Sequence, residues 1–297
     1  MKLIESKVEI IEQQPGLEGV YKQIELAGRT CYKSEDKITE DSAKAFVDRM
    51  IKSKHGAMLE HGTVYLTAYD DYAEDLLKYQ TNKYSKYKSY TEYLENGKSI
   101  KACVTTNLRV LVENDWLDDM KYIGVPTEHH EKRISARFTC DRGVSHEIVR
   151  HRVMSFAQES TRYCNYGKDK FGNEVTFIKP TWYNVVTNEQ REVFDDFLNI
   201  SEEAYMALLD KWENRIPDKR YKTKFKGNPL TPQQARQVLP NALKTEIVVT
   251  GFESDWEHFF SLRSPKYGAQ GVHPDMAKLA DELYEKLNNV NTDNKTN

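Results

Sequence analysis

The sequence predicts a mixed protein of the α/β (α+β) class, and three observations carry that prediction. Apolar residues alternate near 63–69, 134–139 and 244–251, the period of a half-buried strand. They recur at helical spacing over 188–213 and again from 274 onward. No internal repeat and no Pro/Gly/Ser-rich linker divides the 297 residues. The chain 1–297 therefore reads as one interwoven unit, although about 150 residues per domain would allow two.

Taken in order, residues 41–52 place Ala43, Phe46, Val47, Met50 and Ile51 on one helical face, with Asp41 or Ser42 as N-cap. From Thr63, Val64, Leu66 and Ala68 alternate with Tyr65, Thr67 and Tyr69 as a strand. Residues 70–102 interleave Lys78, Tyr79, Lys83, Tyr84, Lys86 and Tyr87 and end at the turn Glu95-Asn96-Gly97. Nearby acids offset the charge, so exposed amphipathic helices fit better than a base-stacking surface. Ile134, Ala136 and Phe138 mark a second strand, which enters the turn Asp141-Arg142-Gly143 before a short helix capped by Ser145. A long amphipathic helix spans 188–213 through Val193, Phe194, Phe197, Leu198, Ala204, Tyr205, Leu208 and Trp212. Thr231-Pro232-Gln233-Gln234 is a capping box with proline at the first helical position, and Pro240 closes that helix. Lys244 to Gly251 is a third strand, and Ser254-Asp255-Trp256-Glu257 a further capping box. His273-Pro274 opens a final helix with Met276, Leu279, Ala280, Leu283 and Leu287; a polar, frayed tail follows Asn288.

Composition narrows the function. Hydrophobic residues make up 39% and charged residues 30%, enough apolar material for a core. No apolar run approaches the roughly 20 residues of a membrane span, and MKLIESKVEIIEQQ lacks the features of a secretory signal. Cys31, Cys103, Cys140 and Cys164 form no CxxC pair and read as reduced thiols, so a cytoplasmic protein is expected. A net charge of -3 argues against a nucleic-acid coat.

GxGxxG, GxxxxGK[ST] and GxSxG are absent, which removes the Rossmann, Walker and nucleophile-elbow readings. His146-Glu147-Ile148-Val149-Arg150-His151 resembles HExxH with one residue too many; histidines five apart diverge by about 140° on a helix and cannot share a metal. His129-His130 reads as a solvated loop pair, and no metal site is expected. The densest constellation is residues 150–162, with Arg150, His151, Arg152, Ser155, Ser160, Thr161 and Arg162, and Glu147 and Glu159 are the only nearby acids. Guanidinium groups with surplus charge and neighbouring hydroxyls suit an anionic ligand. Arg263 shares the face of Trp256, Phe259 and Phe260, so either a ligand anion or an internal carboxylate must balance it. Arg236 is a weaker parallel. His55-Gly56-Ala57-Met58-Leu59-Glu60-His61, just before a strand, reads first as a polar network and second as a proton-transfer or metal group.

In this order the three elements resemble the flavin-dependent thymidylate synthases. The family signature RHRxxSxxxxSxR is matched at Arg150, His151, Arg152, Ser155, Ser160 and Arg162. The upstream His and Glu-His are matched by His55, Glu60 and His61, the A-R-x-V-L-P segment by Ala235 to Pro240, and the later Leu-Arg by Leu262-Arg263. Segments near 70–130 and 165–225 look like expansions of a shorter core. The resemblance implies a mixed or antiparallel sheet packed with long helices, and a homotetramer that converts dUMP to dTMP. Methylenetetrahydrofolate would supply the carbon and NADPH the hydride, through FAD. Position by position, it implies FAD contacts at His55, Ala57, Arg150, His151, Arg152, Gln158 and His258. It implies dUMP contacts at Glu147, Arg150, Gln158, Glu159, Ser160, Thr161, Arg162, Arg236 and Arg263. Arg263 would be the catalytic residue, stabilising charge on the uracil ring as N3 loses its proton. Three positions depart from the pattern: Phe252-Glu253-Ser254 stands where many members have Asn-x-Arg, Glu147 where many have Gln, and Gly-Val-His-Pro follows Ala269-Gln270. Ser160 has no base spaced to activate it, and Cys164 reads as a packed thiol. Two other readings remain: a nucleotide-binding protein without flavin, and an RNA-binding protein using 70–102.

Overall fold

The computed structural model describes residues 1–94, 97–209 and 229–293. Its centre is a four-stranded antiparallel sheet in the order β2 (Lys7–Ile11), β6 (Arg133–Asp141), β9 (Lys244–Phe252), β7 (Ser155–Gln158). Strand alternation sorts its side chains to two faces. One face carries Val8, Ile134, Ala136, Phe138, Cys140, Ile247 and Val249. It packs against α5 (Arg142–Ile148), α8 (Glu253–Arg263) and α9 (Pro274–Asp293) through Ile148, Trp256, Phe259, Phe260, Met276, Leu279 and Leu283. The opposite face puts Ile11, Ala157 and Val248 against Ala27 of α1 (Gly16–Tyr32) and Met58 of α3 (Gly56–Leu59). The sheet is thus covered on both sides, which fixes register: a one-residue slip would exchange the two faces.

A second antiparallel sheet has the order β3 (Thr63–Tyr69), β5 (Gly97–Asn107), β4 (Lys86–Leu94). Val64, Leu66, Ala68, Ala102 and Val104 face α1 and α2 (Ser42–Lys52), whose Val20, Ile24, Phe46 and Val47 complete that core. Thr127, His129 and His130 pack on part of the sheet's other face. There His130 meets Tyr65 edge-on at 5.4 Å between centroids, and His129 lies 3.8 Å from Tyr90. α4 (Leu108–Glu113) follows β5, its first turn capped by the Asn107 side chain. A short parallel pair, β1 (Lys2–Ile4) with β8 (Thr176–Ile178), joins α6 (Asn188–Leu208) and α7 (Pro232–Ala235) around Val175, Phe177, Leu198, Tyr205 and Leu243.

Several expectations need correction. Residues 70–102 are not amphipathic helices: a 3-10 helix over Asp70–Thr81 leads into β4 and β5. The alternating Lys/Tyr run is a strand edge, and Tyr79 is buried with its hydroxyl bonded to Asp119 at 2.8 Å. Asp141, not Ser145, caps α5, its Oδ1 accepting from Val144 N at 2.8 Å. α8 begins before Ser254, with Asp255 accepting from Phe252 N at 3.0 Å. The Thr231 box is present, but the helix it opens is only Pro232–Ala235, continued as a 3-10 turn over Arg236–Val238. His130 is not solvated: it is buried, with Nε2 at 3.0 Å from Leu66 O and Nδ1 bonded to Thr127. α9 runs past Asn288 to Asp293. The expected helix over 188–213 is observed to Leu208; Trp212 lies outside the described residues.

Candidate functional site

The signature segment leaves α5, turns at His151–Met154 and enters β7, so one short stretch crosses the end of the central sheet. Its side chains separate into two groups.

The first group gathers where α5 meets the C-terminal end of α8. Arg263 Nη1 donates to Glu147 Oε2 at 2.7 Å, and Arg263 Nε lies 3.4 Å from His151 Nε2. The His151 ring also meets Phe259 at 4.9 Å and His258 at 6.3 Å between centroids. Burial pulls the His151 pKa down to about 4, helped by the Arg263 and His258 charges, so the imidazole is neutral at physiological pH. A neutral ring keeps one acceptor nitrogen, which the Arg263 N–H faces. His273 Nδ1 approaches the second Glu147 oxygen at 3.4 Å. Of the two ways to balance Arg263, the structure shows the internal carboxylate. The pair is not sealed: the side chains are 21% and 28% exposed, so a ligand can reach it.

The second group lies at the start of β9. Arg236 Nη1 donates to Thr161 Oγ1 at 3.0 Å, and Arg162 Nε to Gln233 Oε1 at 3.1 Å. Beside them, Arg142, Thr161 and Arg236 line a cavity of about 310 Å³ whose other walls carry no acid. Arg142 Nη1 is buried there with no hydrogen-bond partner. Among the described residues, Arg142, Arg150, Arg152, Arg162 and Arg236 form no ion pair with any carboxylate. By contrast Arg29, Arg109, Arg137 and Arg263 all do. Arg142 is the residue that sequence reasoning missed. Its only signal was its place in a turn, whereas the Arg142 N to Asn241 O bond of 2.9 Å joins that turn to the Arg236 segment.

Other expected residues take different positions. Glu159 is buried, with its carboxylate on Lys244 at 2.8 Å and Tyr166 at 3.0 Å, inside a network that continues to Glu246 and Lys33. Those two lysines hold the Glu246 carboxyl down at about 2 against its burial. Gln158 Nε2 donates to Ser145 Oγ at 2.8 Å. Ser160 Oγ accepts from Arg162 N at 3.3 Å, and no base touches it. Cys164 is buried and pushed up to about 12 by that burial, as a packed thiol should be. Glu60 pairs with Arg109, and His61 is buried with Nδ1 2.8 Å from Thr250 Oγ1, a polar network at strand entry. His55, which reaches Tyr32 OH at 3.4 Å, and Ala57 are exposed around α3, and no described contact ties them to Arg263. Phe252 is buried between two cations, Lys86 at 5.3 Å and Arg133 at 5.5 Å from its ring centroid, and Ser254 bonds Glu131. The 63–132 segment therefore occupies the region where Asn-x-Arg would offer its side chains.

Guanidinium groups without carboxylates, set among hydroxyls at the end of a sheet in a mixed α/β protein, are donors of the kind an anion needs. The family model described as thymidylate synthase complementing protein matches residues 114–291, more than half of the chain, and the chain belongs to that family. Curated relatives include the flavin-dependent thymidylate synthase of Geobacter sulfurreducens, 34% identical over 122 residues (41% of this chain, 43% of that protein). That of Mycolicibacterium gilvum is 32% identical over 146 residues (49% and 53%). The chain thus spans about half the length of the curated relatives it matches. Among solved structures, the UMP/dUMP methylase PolB from Streptomyces cacaoi bound with 5-Br dUMP aligns over 97% of this chain and 92% of its own. The TM-score is 0.42 and the identity 17%.

Proposed function

We propose that the chain is a flavin-dependent thymidylate synthase, acting in the cytoplasm as a homotetramer. It would convert dUMP to dTMP with methylenetetrahydrofolate as carbon donor and NADPH as reductant, through FAD. The observation that carries this reading is the set of carboxylate-free guanidinium groups that the signature segment and the Arg236 segment bring around Thr161. A nucleotide phosphate is a dianion with three acceptor oxygens. Arg162, Arg236 and the Ser160 and Thr161 hydroxyls are the donors such a group requires, and Arg142 adds an unused buried N–H. Arg263 and Glu147, with Gln158 and Arg150, would meet the uracil end. There the Arg263 guanidinium stabilises negative charge as the ring loses its N3 proton.

The donor set also fits FAD at Arg150 and Arg152, which are exposed and unpaired among the described residues, with His151 and His258 beside them. His55 and Ala57 would complete that site from α3, and their separation from Arg263 supports a site shared between subunits. Bound there, FAD supplies hydride transfer; this chain's residues orient the nucleotide and hold the charge that develops on it. The fit fails at Phe252 and Ser254, whose contacts with Lys86, Arg133 and Glu131 favour one second reading, nucleotide binding without flavin. A visible absorption spectrum separates the two. Purified protein that shows oxidised flavin, bleached by NADPH under exclusion of air, supports the synthase. Colourless protein that takes up no added FAD overturns it.

A further inference from the structure

The principle that a buried guanidinium needs an anion applies more strongly to Arg133 than to Arg263. Arg133 opens β6, and the 63–132 segment delivers the chain to it. Its guanidinium lies over the Phe252 ring and donates to Glu60 O at 3.0 Å, with longer approaches to Thr63 Oγ1 at 3.4 Å and Ser155 Oγ at 3.5 Å. These are neutral acceptors. Among the described residues no carboxylate pairs with it: Glu60 is taken by Arg109, and Asp255 caps α8. Arg133 Nε is buried with no partner. Burial pulls the Arg133 pKa down to about 10, and the more distant Tyr65, Glu60 and Asp255 offset that only in part.

Arg133 also lines a cavity of about 430 Å³, within the range of small-molecule sites. Ile10, Ile11, Val20, Ile123 and Val125 make its walls apolar, and Tyr65, Thr63 and Ser135 add hydroxyls. Glu12 and Glu253 border it without reaching the guanidinium. None of the residues assigned above to nucleotide or flavin lies in its lining. We propose that this cavity is a second ligand site, which takes a small amphipathic anion: an apolar body in the cavity and one carboxylate, sulfonate or phosphate on Arg133. The site does not depend on the synthase reading.

The test uses calorimetric titration of the full chain with 8-anilinonaphthalene-1-sulfonate, and with its uncharged relative N-phenyl-1-naphthylamine. A single saturable sulfonate site is expected, unaffected by saturating dUMP and FAD. Arg133→Met should weaken the sulfonate by about tenfold or more, the size of a lost charge-assisted hydrogen bond, and leave the neutral probe almost unchanged. Should Arg133→Met fold poorly, Val125→Trp narrows the cavity from an exposed loop and should weaken both probes. The proposal is overturned if dUMP or FAD displaces the sulfonate, if Arg133→Met weakens both probes alike, or if neither variant changes its binding.

Discussion

Glu147 is the residue whose replacement tests the charge logic of the site most sharply. Its carboxylate sits 2.7 Å from the Arg263 guanidinium. Two unit charges about 4 Å apart attract by roughly 4 kcal/mol at an effective dielectric of ~20. The exposure of 21% and 28% lets water and salt reduce that, to about 1–2 kcal/mol for a half-buried pair. An anionic nucleotide has to work against this pairing to engage Arg263, and it also meets the Glu147 charge directly. Glu147→Gln removes both penalties while keeping the side-chain shape. The expected result is tighter dUMP binding by about 1–2 kcal/mol, roughly 5- to 30-fold in Kd. Isothermal titration of wild type and variant measures it, and the gain should shrink as salt is raised. Adding Arg263→Met to Glu147→Gln should abolish the gain, because the two effects share one partner. Equal or weaker dUMP binding by a folded Glu147→Gln protein would refute the argument; Glu147 would then be an orienting group whose charge the nucleotide never opposes.

Three further outcomes follow from the geometry. Arg236→Met and Arg142→Met should each weaken dUMP by about 1.5–3 kcal/mol and leave deoxyuridine, which lacks the phosphate, nearly unaffected; equal losses for both ligands would remove the phosphate from this cavity. His61, pulled down to about 3 by burial and by Arg133, and His151, at about 4, are neutral in the fold but take up protons in the unfolded chain below about 6.5. Stability is therefore full above pH 6.5 and falls as pH drops toward 4, at up to about 1.4 kcal/mol per pH unit for each histidine. Burial lowers the pKa of His130 as well, so urea unfolding of His61→Gln should show a slope reduced by the share of one histidine among three, and an unchanged slope would contradict the assignment. Trp256→Ala empties the centre of the Phe138, Phe259 and Phe260 cluster and removes the indole bond to Ile134 O at 3.1 Å, so it should cost about 3–5 kcal/mol by denaturant titration. A loss under about 1 kcal/mol would mean that this core is not packed as described.

The parts of this fold that could be read from the chain are those in which local pattern and burial agree. β6 alternates because one of its faces joins the apolar core under α8 and α9 while the other sets Ser135 and Arg137 against Thr250 and Glu9, and α9 shows a clean apolar stripe because one sheet face receives it. The reading failed where tertiary contacts decide. The Lys/Tyr run over 83–90 looks helical and exposed, but from Lys86 pairing with β5 makes it a strand, and Lys101 packs against Tyr69 and Tyr90. α1 gives little signal because polar side chains within it are buried: Glu25 and Arg29 pair with each other at 2.9 Å, and Gln23 and Thr30 are hidden too. Capping errors share one cause. Ser145 and Ser254 have the right residue type, but Gln158 and Glu131 bind those hydroxyls from distant parts of the chain.

The same distinction governs the site. Arg150, Arg152 and Arg162 stand out in sequence because they crowd one segment, and surplus charge within a segment is visible without coordinates. Pairing across the fold is not. In the sequence a ligand and a carboxylate balance Arg263 equally well, and only the fold brings Glu147, 116 residues away, against it. Arg142 and Arg133 passed unnoticed because each stands beside ordinary turn or strand residues, and what distinguishes them is the absence of a partner. That absence is a property of packing: Glu60, whose backbone oxygen accepts from Arg133, has its carboxylate held by Arg109, and Glu159, three residues before Arg162, has its carboxylate held by Lys244. Glu60, close to Arg133 in space, and Glu159, close to Arg162 in sequence, are thus diverted to other cations, and the positive charge that remains unbalanced marks both the proposed nucleotide cavity and the one beneath β6. Lys244→Met would leave the buried Glu159 carboxylate without its cation, so that it either takes up a proton or, as the diversion of Glu159 requires, turns its charge toward Arg162. Phosphate binding should then weaken although no phosphate ligand had been altered; dUMP titration of Lys244→Met against deoxyuridine decides it, and an unchanged ratio of the two affinities would show that the diversion of Glu159 plays no part.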